Sequence, residues 1–169
     1  MSSDNQLIYT TSAEDQAAAA RLKERLSNSS SSRTASESNS TGPPLAWLDI
    51  PSVSIDNGAH KYVLISATEP APREPNGTCI HRYFVVSKKG AAYHQNAAEP
   101  FVCKLEANGF QDIRIKGGGR ISLDEVSKSV SIFGYSYGFG RADHAQSKSV
   151  IDADDRYKGY NVTWSNDGY

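Results

Sequence analysis

Two stretches of this sequence carry groups that could act on a small anionic substrate. His94 lies in the small and polar stretch AAYHQNAAEP, where an imidazole with a pKa near neutrality can serve as a base, an acid or a nucleophile. A solvated loop histidine is the alternative. Residues 135–140 (YSYGFG) follow a predicted strand and combine the hydroxyl of Ser136 with two glycines. Such a turn can point backbone N–H groups at a phosphate, or it can be purely structural.

Two further positions extend this set. The run GGGR at 117–120 lacks the Gly-Lys-Ser/Thr of a nucleotide-binding loop. Its glycines either form a strand bulge or let Arg120 and a ligand approach the sheet closely. His144, in RADHA, could be catalytic or a partly buried structural donor beside the glycine turn. The four histidines show no metal-ligand spacing, and there is no HExxH or GxSxG. No metal site is therefore predicted, and any histidine chemistry is expected to be metal-free.

The elements that must position these residues lie downstream of residue 44. The segments predicted as strands are rich in β-branched and aromatic residues or alternate in polarity: 61–67, 83–86, two or three strands between 111 and 136, and 160–164. A short helix is predicted from Glu99 and Pro100 to Gly109, and a second from a capping pattern at Ser149 towards Tyr157. The order ββαββαβ predicts an α+β fold with a single mixed β-sheet and two helices.

Residues 1–44 differ from the rest in composition, with 11 serines and Tyr9 as the single aromatic residue. A capping pattern at Ser12 followed by QAAAARLKERL predicts a helix whose apolar edge consists only of Leu22 and Leu26. Because that edge buries little surface, we expect a nascent helix in a largely disordered, Ser-rich leader, which is either a solvated tail or a partner-binding or targeting arm. The predicted organisation is a leader at 1–44 and a folded domain at 45–169.

Composition disfavours several classes of protein. The chain has 169 residues, with 18 Lys and Arg against 19 Asp and Glu, so its net charge of −1 supplies no positive field for a nucleic acid. No apolar run approaches the roughly 20 residues that span a bilayer, so no membrane segment is predicted. The two cysteines form neither a disulfide framework nor a zinc pattern, and the polar start MSSDNQ lacks a secretory signal. A cytoplasmic protein is expected.

Six short motifs occur in a characteristic order downstream of the leader. They are KYVLI at 61–65, YH at 93–94, GGGRIS at 117–122, GYS at 134–136, ADHA at 142–145 and TWSNDGY at 163–169. In order and spacing this set resembles the phosphohistidine phosphatase (Janus) family. The resemblance implies a small enzyme that removes phosphate from phosphohistidine-containing proteins without a metal or other cofactor, and we expect a monomer. The leader lies outside it.

Carried onto this sequence residue by residue, the resemblance makes His94 the essential histidine, with the choice between general base and nucleophile left open. The implied substrate- and phosphate-binding residues are Lys61, Arg120, Ser136, Tyr137 and Gly138. His144 matches a supporting histidine beside the loop.

One departure concerns an arginine that the family carries in a short strand motif before the tyrosine–histidine pair. Here the stretch reads RYFVVSKKGAAYH, which places Arg82 too far upstream in a gapless count. Either Lys88, Lys89 or a shifted Arg82 supplies that charge, or nothing does. A non-catalytic phosphate- or phosphoprotein-binding module of the same fold is therefore the alternative to an enzyme.

Overall fold

The computed structural model of the chain describes residues 12–31 and 46–167. The six strands are β1 (Val53–Ser54), β2 (Gly58–Thr68), β3 (His81–Ser87), β4 (Gln111–Asp124), β5 (Ser129–Phe133) and β6 (Asn161–Trp164). The α-helices are α1 (Ser12–Ser31), α2 (His94–Ala107) and α3 (His144–Asp152), and two short 3₁₀ turns cover Ala46–Asp49 and Asp155–Tyr157. Residues 1–11 and 32–44 of the predicted leader lie outside the described residues.

The strands form one sheet in the order β1-β3-β2-β4-β5-β6. The outer pairs β1–β3 and β5–β6 are parallel, and the inner pairs are antiparallel. Helices α1 and α2 cover one face of the sheet and α3 covers the other, with a separate apolar cluster under each face. The predicted α+β fold with a single mixed sheet is confirmed.

Helix α2 begins at His94, not at Glu99 as the sequence predicts. The N–H of Tyr93 donates to Asn96 Oδ1 at 3.0 Å, which satisfies the backbone just ahead of the first turn. Pro100 consequently lies inside the helix, where it removes one backbone donor. His94 is therefore the first residue of the helix and not part of a solvated loop.

Helix α3 also begins earlier than predicted, at His144 and not at Ser149. Its N-cap is Asp143, whose carboxylate accepts the N–H of Gln146 at 3.0 Å. The pair forms the Asp-x-x-Gln start that is typical of a helix N-terminus. This earlier start makes a histidine the first residue of α3, as it is of α2.

Helix α1 packs on the sheet, although its apolar edge was expected to contribute little to a core. Four side chains, which we call the inner stripe of α1, are at most 5% exposed: Asp15, Ala19, Leu22 and Leu26. Their spacing of four, three and four residues places them on one face of a helix. The apolar members join the cluster under α2, so tertiary packing supplies stability that an isolated helix of this composition lacks.

The glycines of β4 create a bulge in the centre of the sheet. The β2–β4 register shifts between Leu64 and Ile65, which pair with Gly117 and Ile115 respectively. Gly117 has a φ of 144°, and a Cβ there would lie 2.6 Å from the backbone nitrogen of Ala142. The chain after β5 therefore passes directly over β4, which only a glycine permits.

Candidate active site

His94 presents one ring nitrogen to the sheet and the other to the candidate site. Its side chain is completely buried, and Nε2 lies 2.9 Å from the carbonyl oxygen of Gly119. Because a carbonyl can only accept, Nε2 carries the proton and Nδ1 carries the lone pair. Nδ1 has no hydrogen-bond partner among the described residues. This is the tautomer that a base or nucleophile acting through Nδ1 requires.

The electrostatic surroundings of His94 keep its ring neutral. The pKa of His94 is lowered to about 4, chiefly by burial and also by the positive charges of Lys61 and Arg120. The hydrogen bond to Gly119 and the negative charge of Asp15 act in the opposite direction. Near neutral pH the ring therefore keeps the free lone pair on Nδ1.

Lys61 and Arg120 occupy directly opposite positions on the antiparallel strands β2 and β4. Lys61 is only 7% exposed, and burial together with the charge of Arg120 lowers its pKa, whereas Asp15 raises it. Like charges directly opposite each other destabilise a sheet, so an anion near the pair would relieve their repulsion. Both cations act on His94 as well, which makes this end of the sheet an electropositive site.

The predicted phosphate loop is a closed turn. The N–H of Ser136 donates to the carbonyl of Gly140 at 3.2 Å, and the N–H of Gly140 donates back to Ser136 at 2.8 Å. The hydroxyl of Ser136 accepts the N–H of Phe139 at 3.1 Å, so its own proton can still be donated. Ser136 is 1% exposed, whereas Tyr137 is 44% exposed. Tyr137 therefore lies at the rim of the turn and Ser136 at its base.

Two successive glycines of β4 contact the phosphate loop and the histidines that begin α2 and α3. A Cβ on Gly118 would lie 2.9 Å from Cδ2 of His94 and 3.1 Å from Cβ of Ser136. A Cβ on Gly119 would lie 2.9 Å from Cε1 of His144. Successive residues of a strand face opposite sides of a sheet. His94 and Ser136 are thus neighbours on one face, and His144 lies on the other.

His144 has both ring nitrogens engaged. Nε2 lies 2.9 Å from the carbonyl of Gly134, so it donates there, and Nδ1 lies 2.6 Å from the hydroxyl of Tyr62, from which it accepts. Burial lowers the pKa of His144 and favours this neutral form. Of the two possibilities for this residue, the contacts match a buried structural donor that anchors the chain just ahead of the loop.

The three candidates for the family's upstream arginine lie in different places. Arg82 donates to Ser52 Oγ at 2.8 Å and pairs with the β2 residue six positions beyond Lys61, roughly 20 Å away along the strand. Lys88 and Lys89 directly follow β3 at the end nearer Lys61, and both are exposed. Arg82 is therefore not part of the candidate site, and the two lysines are the candidates that remain near it.

Helix α1 contributes a residue that sequence reasoning missed. Asp15 Oδ2 lies 3.9 Å from His94 Nδ1, and the Asp15 side chain is 2% exposed. Lys23 Nζ donates to the carbonyl of Gly138 in the predicted phosphate loop at 2.9 Å. The spacing of the inner stripe was the available signal for this docking. It was weak, because Asp15 is charged and Ala19 is small, so only two leucines marked the stripe as buried.

Within residues 12–31 and 46–167, no group of three or more His, Cys, Asp or Glu side chains is placed to hold a metal ion. No helix in the part of the chain that the structure describes is long and apolar enough to cross a membrane. Cys79 and Cys103 are exposed and unpaired as thiols.

Comparison with known proteins decides the family. A sequence model of the Janus/Ocnus family matches residues 47–161. The chain belongs to the Janus/Ocnus family. The 14 kDa phosphohistidine phosphatase of Sus scrofa is 41% identical over 123 residues, which cover 71% of this chain and 93% of that relative. The Homo sapiens protein of the same name is 39% identical over 121 residues, covering 71% and 94%.

The sex-regulated protein janus-A of Drosophila pseudoobscura pseudoobscura is 34% identical over 121 residues, which cover 71% of this chain and 78% of that relative. The family assignment made from the six motifs is therefore confirmed. The family match begins at residue 47, so α1 lies outside it.

Proposed function

We propose that this chain is a protein phosphohistidine phosphatase that hydrolyses the P–N bond without a metal ion. Similarity to two proteins named 14 kDa phosphohistidine phosphatase supports this activity. The observation that carries the proposal is the state of His94, a neutral imidazole whose Nε2 is fixed by Gly119 and whose Nδ1 faces an electropositive site. A phosphoryl group is the anion for which such a site is suited.

In this proposal the site positions the phosphoryl group and neutralises its charge. Lys61 and Arg120 attract the phosphoryl oxygens, and the hydroxyl of Ser136, with the backbone amides of Tyr137 and Gly138, donates hydrogen bonds to them. A phosphoramidate bond is labile when its imidazole leaving group is protonated, so orientation and charge stabilisation are the main requirements. His144 supports the loop through its hydrogen bond to the backbone at Gly134.

Two routes remain for His94. As a general base, Nδ1 accepts a proton from water while the water oxygen bonds to phosphorus, the P–N bond breaks and the departing nitrogen takes up a proton. As a nucleophile, the Nδ1 lone pair bonds to phosphorus while the substrate P–N bond breaks, and water then hydrolyses the phosphorylated His94. Rapid-quench single turnover separates the two routes, because only the second yields acid-labile, alkali-stable phosphate on His94.

The activity is tested by phosphate release from a phosphohistidine peptide in the presence of a chelator. Wild-type protein is expected to release phosphate, and His94→Ala is expected to lose at least about 100-fold of the rate. His81→Ala, which removes an exposed histidine of β3, is the matched control and should leave the rate unchanged. An unchanged rate in His94→Ala would contradict the role of His94.

The alternative of a non-catalytic binding module makes a different prediction for the same samples. It expects wild-type protein to bind inorganic phosphate or a phosphohistidine peptide without releasing phosphate. Helix α1 contacts the phosphate loop and could itself block hydrolysis in the wild-type protein. The absence of hydrolysis therefore supports the binding module only if Ala19→Gln, a variant designed to displace α1, is also inactive. A monomeric state and a cytoplasmic location complete the proposal and rest on the sequence alone.

A further inference from the structure

Helix α1 covers the candidate active site by contacting the phosphate loop and His94, and an ion pair ties it to the far end of α2. Ala19 is completely buried, and a Cβ placed on Gly138 of the phosphate loop would lie 2.3 Å from Ala19 Cβ. Lys23 donates to the carbonyl of the same glycine. Further along, Arg25 forms an ion pair with Glu106 of α2 at 2.8 Å. The helix therefore lies where a substrate would have to approach the loop and His94.

The inner stripe of α1 also brings a negative charge into the site. The Asp15 carboxylate faces Nδ1 of His94 at 3.9 Å, and its charge raises the pKa of both His94 and Lys61. Opposite Lys61 on the sheet stands Arg120. Asp15 is thus an anion among the cations and the imidazole that we assign to the phosphoryl group.

We propose that α1 is an intramolecular inhibitor of this site, in which the Asp15 carboxylate takes the place of the substrate's phosphoryl group and the helix takes the place of the substrate chain. This inference concerns regulation and rests on the proposed function for the identity of the substrate. According to this proposal, α1 and a phosphorylated protein compete for one surface, which is formed by the phosphate loop and the start of α2.

The contacts of Asp15 make the docked helix displaceable. A separation of 3.9 Å is too long for a hydrogen bond. Oδ1 of Asp15 and Nδ1 of His94 have no hydrogen-bond partner among the described residues, although both are buried. Buried polar atoms without partners destabilise the state that contains them. The Asp15 carboxylate presents an acceptor to the Nδ1 lone pair, which is also an acceptor, so the two do not bind each other. A phosphoryl group has three terminal oxygens that can accept from the Ser136 hydroxyl and the two cations together, and its phosphorus can meet the Nδ1 lone pair. We therefore expect the correct substrate to displace α1 where a weaker anion does not.

A first experiment measures how the charge of Asp15 affects the affinity of the full-length protein for inorganic phosphate. Asp15→Asn removes the competing charge in an isosteric side chain and is expected to bind phosphate about tenfold more tightly than wild type. Glu14→Gln removes the same charge from the adjacent, exposed position and is expected to bind like wild type. Equal affinities in the two variants would overturn the inference, because a general change in net charge would then explain the effect.

A second experiment tests the helix itself by hydrolysis of a phosphohistidine peptide. Ala19→Gln adds a side chain where α1 meets Gly138, whereas Ala20→Gln adds the same side chain on the exposed face. Ala19→Gln is expected to raise kcat/KM about tenfold and to speed hydrogen exchange in α1, and Ala20→Gln to change neither. If folded Ala19→Gln protein is no more active than Ala20→Gln, α1 does not inhibit. If Ala19→Gln does not fold, the phosphate titration with Asp15→Asn decides.

The two proposals fail in distinguishable ways. If wild-type protein and Ala19→Gln both leave the peptide intact while Asp15→Asn binds phosphate more tightly than Glu14→Gln, α1 occupies an anion site but the proposed enzyme activity is wrong. If wild-type protein hydrolyses the peptide and neither Asp15→Asn nor Ala19→Gln differs from its control, the activity stands and the inhibitory role of α1 is overturned.

Discussion

His94 and His144 occupy matching positions on opposite faces of the sheet, yet they differ in one contact. Each is the first residue of a helix, each is buried, and each binds a backbone carbonyl through Nε2, of Gly119 and Gly134 respectively. Nδ1 of His144 accepts a hydrogen bond from Tyr62, whereas Nδ1 of His94 has no such partner among the described residues. The same local frame therefore holds one histidine for structure and leaves the other available for chemistry.

The largest expected effect separates the two histidines by activity and stability. His94→Asn should lower phosphohistidine hydrolysis at least about 100-fold and lower the free energy of unfolding by about 1 kcal/mol, because one buried hydrogen bond, from Nε2 to Gly119, is lost. His144→Asn should lower the free energy of unfolding by about 2 kcal/mol, because His144 loses two buried hydrogen bonds, to Tyr62 and to Gly134. Urea unfolding and phosphate release measure both quantities. Equal activity losses in the folded variants would remove the distinction between the histidines.

The next effect uses the two glycines that separate the histidines. Gly118→Ala and Gly119→Ala both place a methyl group against backbone oxygens, within 2.8 Å or less, and each should cost about 1–3 kcal/mol of stability. Activity per folded molecule should fall further in Gly118→Ala, whose methyl group meets His94, than in Gly119→Ala, whose methyl group meets His144. Thermal unfolding and phosphate release, corrected for the folded fraction, give the comparison. The reverse order would contradict the assigned faces.

A smaller effect tests the bond that distinguishes His144. Tyr62→Phe leaves the packing of the ring and removes the hydroxyl that donates to His144 Nδ1 at 2.6 Å. Stability should fall by about 1–3 kcal/mol, the usual cost of leaving a buried acceptor unpaired. Activity should stay within about twofold of wild type, since Tyr62 does not belong to the candidate site. The denaturation midpoint at constant m-value measures the effect, and a variant as stable as wild type would show that this bond contributes nothing net.

The smallest effect is a dependence of stability on pH. In the folded state burial lowers the pKa of His94 to about 4, whereas an unfolded histidine titrates near 6.5. Between pH 6.5 and 4 the unfolded chain therefore binds a proton that the folded protein does not. The free energy of unfolding is highest above about pH 6.5 and decreases as the pH falls towards 4, by at most about 1.4 kcal/mol per pH unit for one histidine. His94→Gln should flatten this slope, as measured by urea unfolding between pH 7 and 5. A slope unchanged by the substitution would mean that His94 is readily protonated in the native protein.

The sequence predicts the fold class better than the boundaries of the helices that position the candidate site. Alternation and β-branched residues mark β2 and β3, because such patterns report the burial of a strand directly. The sequence places the start of α2 too late, because Pro100 suits a first helical turn, whereas Asn96 fixes the true start from inside the helix. The motifs KYVLI and GGGRIS mark Lys61 and Arg120 as candidate binding residues, but only the pairing of β2 with β4 shows that the two residues lie opposite each other.

The docking of α1 could not be predicted in the same way. Leu22 and Leu26 alone do not indicate a buried helix, and Asp15 is a residue expected at the surface. Its burial depends on Lys61 and His94, which lie more than 40 residues further along the chain. Tertiary contacts of this kind leave no periodic signal in the segment itself.

Gly119 has a consequence for how a bound ligand could be detected. Its carbonyl holds the ring of His94, and its Cα side lies against the rings of His144 and Tyr62 on the opposite face. The backbone of Gly119 thus contacts both imidazoles, one on each face of the sheet. If ligand binding shifts the His94 ring, this peptide must shift with it, so the NMR signals of the His144 ring would report occupancy of a site that His144 does not touch.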